Sequence, residues 1–165
     1  MVDACEDGCG YCVDCCECGI TLSGVVTSYL DDTDDVTIQL FFEGGATAVY
    51  TITVKGMRAT YSIEDIAPGI YTMVINKNNH VSRSYEIVVT DSNVVADAKI
   101  CPIGDITGDG QVNLKDLQKM LRHINKLAPM TGYELACGDI VSGGGCNGKD
   151  YQRLLRHINK TNPLF

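Results

Sequence analysis

The stretch GDITGDGQVN, Gly104 to Asn113, sets Asp105, Thr107, Asp109 and Asn113 at alternate positions, an arrangement that can converge oxygens on a hard cation. A twelve-residue loop that wraps Ca²⁺ takes ligands from positions 1, 3, 5, 7, 9 and 12, with glycine at 6 for the sharp turn. Those positions hold Asp105, Thr107, Asp109, the carbonyl of Gln111, Asn113 and Asp116, with Gly110 at the turn. Val112 falls at position 8, where an apolar residue packs beneath such a loop. The competing reading is an Asx-rich turn running into a helix N-cap, which the same residue types favour.

The stretch returns 34 positions later as GDIVSGGGCN. Asp139, Asn147 and Asp150 are kept, with Gly144 in the turn place and Cys146 in that of Val112, but Val141 and Gly143 stand where Thr107 and Asp109 stood. Loss of those oxygens predicts one firm Ca²⁺ in the first loop and a feeble or water-filled second site. Behind each loop the copies align without a gap, NLKDLQKMLRHINK against NGKDYQRLLRHINK. Leu117, Met120, Leu121, Ile124 and Leu127 follow helical spacing, as do Tyr151, Leu154, Leu155 and Ile158. The expected order is loop, helix, connection, loop, helix. Asp116 replaces the longer glutamate of an EF-hand at position 12, and Pro102 with Gly104 leaves no room for an incoming helix.

This duplicated loop-plus-helix unit resembles the dockerin module of bacterial cellulosomes. The resemblance spans residues 101 to 165, and the lead-in KICPIGD is similar to that of ruminococcal dockerins. It implies a small all-α dockerin domain of two loop-helix repeats, held by Ca²⁺, that binds a cohesin module of a scaffoldin or cell-surface protein. Carried over residue by residue, the cohesin contacts fall on Leu114, Lys115, Leu121, Arg122 and Lys126 in the first repeat, and on Gly148, Lys149, Leu155, Arg156 and Lys160 in the second. On periodicity alone Leu121 and Leu155 are equally well read as core, and a lone Arg or Lys as a solvated helix face. Recurrence of Lys115, Arg122 and Lys126 as Lys149, Arg156 and Lys160 raises binding in two orientations, which Gly143 to Gly145 and Gly148 weaken. His123 and His157 are equivalent, and without a nucleophile or carboxylate arranged with them they read as helix surface or partial interface. No catalytic constellation is visible, so the chain is expected not to be an enzyme.

Upstream, the period changes. ITLSGVVTSYL, DVTIQLFFE, TAVYTITVK, RATYSIEDI, GIYTMVINK, HVSRSYEIVVT and NVVADAKI are separated by turn compositions such as DDTDD, EGG and APG. About seven antiparallel strands in an all-β sandwich are expected. YSIEDIAPGIYTMVINKNNH resembles transthyretin-like sandwiches, and its place before the repeat is similar to that of X-modules, which implies a supporting role. DDTDD, residues 31 to 35, is either a further cation site or a solvated connection. The organisation predicted is a Cys-rich tail at 1–18, a sandwich at 19–100 and a dockerin at 101–165.

Six of the nine cysteines fall between Cys5 and Cys18, which suits a disulfide-stapled knot, a metal cluster or a loose linker. Cys101 and Cys137 can pair across the repeat, and Cys146 reads as a small buried hydrophobe. A formal charge of −8 disfavours nucleic acid and anionic membranes as partners, and no run approaches the roughly 20 apolar residues of a membrane span. The dockerin resemblance implies an extracellular or cell-surface-associated location, on a secreted protein taking part in polysaccharide degradation. The rival is an extracellular carbohydrate- or surface-binding sandwich with a structural calcium domain; absence of tryptophan leans against it.

Overall fold

The computed structural model describes residues 19–165; the expectations for the cysteine tail lie outside them. Among the described residues eight strands are formed: β1 (Leu22–Thr27), β2 (Asp35–Phe42), β3 (Ala48–Lys55), β4 (Arg58–Ile63), β5 (Gly69–Lys77), β6 (Arg83–Val89), β7 (Val94–Val95) and β8 (Ala98–Lys99). The period-2 alternation does what it should: β4 and β5 bury every second side chain. One sheet runs β3-β2-β5-β6, antiparallel throughout. In the other, β1 pairs antiparallel with β4 and parallel with both β7 and β8. Inner faces of the two sheets meet in one core, with Leu22, Val26 and Tyr61 from one and Ile38, Leu40, Met73 and Ile75 from the other.

Two expectations are corrected. The strands are not all antiparallel, because NVVADAKI is split into β7 and β8 and lies alongside β1 in the same direction. Backbone pairing is interrupted at Asn93 and Asp97, whose side chains accept from Thr21 N–H (2.9 Å) and Val25 N–H (2.8 Å) instead.

The second correction concerns fold class: no all-α dockerin domain follows the sandwich. The described residues are mostly β with three short helices, α1 (Leu114–Ile124), α2 (Gly132–Gly138) and α3 (Gly148–Ile158). The loops before α1 and α3 are rich in glycine and aspartate and satisfy their backbone by side chains, so helix occupies only part of residues 101–165. Nor does this part stand off from the strands. His80 and Pro102 form a β-bridge, Ile103 N–H donates to Asn79 O (3.0 Å), and Tyr29 and Val81 pack into the second core with Met120, Met130 and Leu154. Helix α2 lies in what reads as a connection. It is held by Tyr133, whose hydroxyl donates to Val81 O (2.6 Å) and accepts from Cys101 N–H (2.9 Å).

Candidate metal centre and helix face

The first loop is organised by two buried carboxylates. Asp105 is 1% exposed; its Oδ1 accepts from the N–H groups of Gly108 (2.7 Å) and Asp109 (3.2 Å), and its Oδ2 from Gly110 (2.9 Å). Asp116 is 0% exposed; its Oδ1 accepts from Ile106 N–H, Thr107 N–H and the Thr107 hydroxyl, each at 2.9 Å, and its Oδ2 from Asn113 N–H (2.9 Å). Gly108 and Gly110 adopt φ of +74° and +86°, which glycine reaches without a Cβ penalty. Asn113 caps α1 by accepting from Lys115 N–H (2.9 Å), and with Asp116 it completes a capping box. The turn-and-cap reading is therefore realised, by the same residues assigned to the cage.

The donor set is all oxygen, the chemistry a calcium ion takes. Burying a carboxylate is costly without a compensating cation, and among the described residues no ion pair reaches Asp105 or Asp116. Among the described residues no three Asp, Glu, His or Cys side chains converge as a metal cluster. Asp109 turns away, with Oδ2 3.4 Å from Lys115 Nζ and Oδ1 accepting from Gln111 N–H. Thr107, Asp109 and Gln111 are exposed. The residues that would hold the ion are Asp105, Thr107, Asp109, the Gln111 carbonyl, Asn113 and Asp116, all oxygen donors.

The second loop repeats the two ends and not the middle. Asp150, also buried, accepts from Val141 N–H (2.7 Å) and Asn147 N–H (2.9 Å), and Asn147 caps α3 as Asn113 caps α1. Left-handed φ falls at Gly143 (+109°) and Gly145 (+65°), not at Gly144. Asp139 Oδ1 is buried with no hydrogen-bond partner among the described residues, whereas its counterpart Asp105 has several. Cys146 packs against the second core.

Contact positions carried over from the dockerin resemblance divide unequally. On α1, Leu114 is 59% and Leu121 42% exposed, flanked by exposed Lys115, Arg122 and Lys126. On α3, Lys149, Arg156 and Lys160 are exposed, but Leu155 packs against the second core and Gly148 offers no side chain. Leu121 is thus exposed where Leu155 is half-buried, so the two copies differ. Lys126 and Lys160 both sit at φ near the left-handed helix, +59° and +57°, where glycine is the usual occupant. Eight of the thirteen basic residues, but only six of the twenty-one acidic ones, lie after residue 100. Three of those six, Asp105, Asp116 and Asp150, are buried.

Sequence reasoning missed what the histidines do. His123 Nδ1 accepts from Met130 N–H (2.9 Å) and His157 Nδ1 from Leu164 N–H (3.0 Å). Each therefore anchors a proline-hydrophobe segment that folds back after its helix. The signal was present, since Pro129-Met130 and Pro163-Leu164 are also 34 apart. Cys101 and Cys137 are free buried thiols lining one cavity of about 170 Å³ with Asp105, Arg83, Lys99 and Tyr133. Burial pushes the first up to about 11, with Asp105 adding to it, and the second up to about 12. The DDTDD connection has a cation of its own. Lys77 Nζ donates to Ser28 Oγ (3.2 Å), Tyr29 O (2.9 Å) and Asp31 O.

No family model matches the sequence, and no curated protein matches it. Among solved structures, the chain is similar to two type II cohesin–X-dockerin complexes from Acetivibrio cellulolyticus, one a C-terminal and one an N-terminal interface mutant. Each is 19% identical, covers 84% of this chain and 95% of that chain, and has a TM-score of 0.39. The TIE protein of Bacillus anthracis is 10% identical, covers 48% of this chain and 16% of that chain, and has a TM-score of 0.36. No helix among the described residues is long and apolar enough to cross a membrane.

Proposed function

We propose that this chain is a calcium-dependent docking module, a plug by which a larger secreted protein attaches to a cohesin on a scaffold or cell surface. It is a binding unit and not a catalyst. The observation that carries this reading is the coupling of Asp116 to α1: one buried carboxylate closes the first loop and caps the helix that exposes Leu114, Leu121, Lys115 and Arg122. A cation drawn into that loop would fix the start of α1 and hence the face presented to a partner. Half-exposed leucines beside an arginine have the composition of an interface centre, with apolar contact and bidentate recognition of a carboxylate together. The basic excess on this part of an acidic chain favours an acidic partner surface.

The test is capture of the full chain by a panel of cohesins, with calcium and with chelator, beside a panel of glycans. Binding to at least one cohesin in calcium, lost on chelation, is expected, with calorimetry showing one tight Ca²⁺. Glycan binding without cohesin binding, or two equal tight calcium sites, would overturn the respective half of this reading.

A further inference from the structure

Two side chains of the strand-rich region reach the first loop, and the glycines of the second loop meet nothing comparable. Tyr29, two residues beyond β1, lays its ring on Gly110, so that a Cβ there would run into the ring. Its backbone is fixed on both sides: the N–H donates to His80 Nε2 (3.1 Å) and the carbonyl accepts from Lys77 Nζ (2.9 Å). Lys99, the last residue of β8, donates from Nζ to Gly108 O, with that nitrogen 5.7 Å from the centre of the Tyr29 ring. Burial opposes the charge of Lys99, but Tyr29, Cys101 and Asp105 hold the ammonium above its ordinary value. Gly143 and Gly145 face open space, and Gly144 meets only the amide of Asn147 in its own loop.

We propose that Tyr29 and Lys99 are positioning residues for the first loop, so that its cation affinity is a joint property of the strands and the loop. This rests on reading that loop as a cation cage. Neither residue is a ligand. They hold Gly108 and Gly110, loop positions 4 and 6, in left-handed conformations from which both N–H groups donate to Asp105 at position 1. A loop already closed around Asp105 has less chain entropy to lose when an ion enters, and supporting contacts outside the ligand set commonly change metal affinity by about 10- to 100-fold. The same clamp accounts for a division within the duplication: the loop that kept its oxygens is the one the strands support.

The full chain, with Tyr29→Ala, Tyr29→Phe and Lys99→Met, is titrated with Ca²⁺ in a calorimeter and followed by amide hydrogen exchange without calcium. Tyr29→Ala should weaken the tight site about tenfold, and Tyr29→Phe, which keeps the ring, should restore most of that affinity. Exchange should quicken at Gly108 to Gly110 in Tyr29→Ala and Lys99→Met and stay unchanged at Gly143 to Gly145. Unaltered affinity and exchange in Tyr29→Ala overturn the proposal, and unaltered exchange in Lys99→Met removes Lys99 from it. If the unmodified chain binds no calcium, the cage reading fails by itself, and the exchange measurements alone decide whether the clamp exists.

Discussion

His80 and His157 are neutral acceptors in the folded chain, and both are held below the ordinary imidazole value. Burial is the main cause for each, with the Arg153 charge adding to it at His157 and Lys77 among the lesser contributions at His80. The unfolded chain therefore takes up these protons first as pH falls. Stability from the two groups is full above about pH 6.5 and is lost as pH drops through their lower folded values. Thermal melts from pH 7.5 to 5 should show a falling midpoint. His157→Asn, which keeps an acceptor and removes the titration, should show a smaller fall; an equal fall would exclude His157 as a contributor. None of this was legible in RHINK alone, because an imidazole's role depends on which N–H comes back to it, and here that N–H lies seven residues away. The ligand-type residues were legible because alternate spacing is a local property that needs no knowledge of the rest of the fold.

At the scale of elements, the repeat was the clearest signal, and its helices, caps and buried stripe are present in both copies. What stayed hidden were elements fixed from outside themselves. Helix α2 is seven residues long, begins and ends in glycine, and has no side-chain cap hydrogen bond, so Tyr133 and the buried Cys137 hold it in place, not propensity. Strands β7 and β8 are two residues each, too short for any period to show. The helix ends carry a testable conflict. Lys126 occupies a left-handed position that costs a non-glycine residue about 1 kcal/mol. Lys126→Gly should raise stability by about that amount in urea unfolding and yet weaken capture by the partner. A variant more stable and equally well captured would show that Lys126 is only a solvated terminus.

For the whole molecule, the expectation of a sandwich followed by an independent helical unit reflects how sequence is read, one period at a time. Composition changes sharply near Cys101, but packing does not. Tyr29 and Val81 enter the second core, and Lys99 reaches the first loop. Val81 and Tyr133 are 52 positions apart, and Tyr29 meets Gly110 from farther still, through side chains whose types are unremarkable where they stand, so no local pattern announces these contacts. The parallel pairing of the first strand with the last two carries a mechanical consequence. Tension applied between β1's entry and β8's exit would pull neighbouring strands along their length in opposite directions. The bonds of Thr21, Ser23, Val25 and Thr27 to residues 93 through 100 would then bear load together, where a hairpin peeled from its open end gives way one bond at a time. Single-molecule stretching along that axis should meet a higher rupture force than pulling across β1 and β4, and Asp97→Ala should lower it. For a module proposed to tether cargo to a surface, the fold would then be strongest along the line of pull.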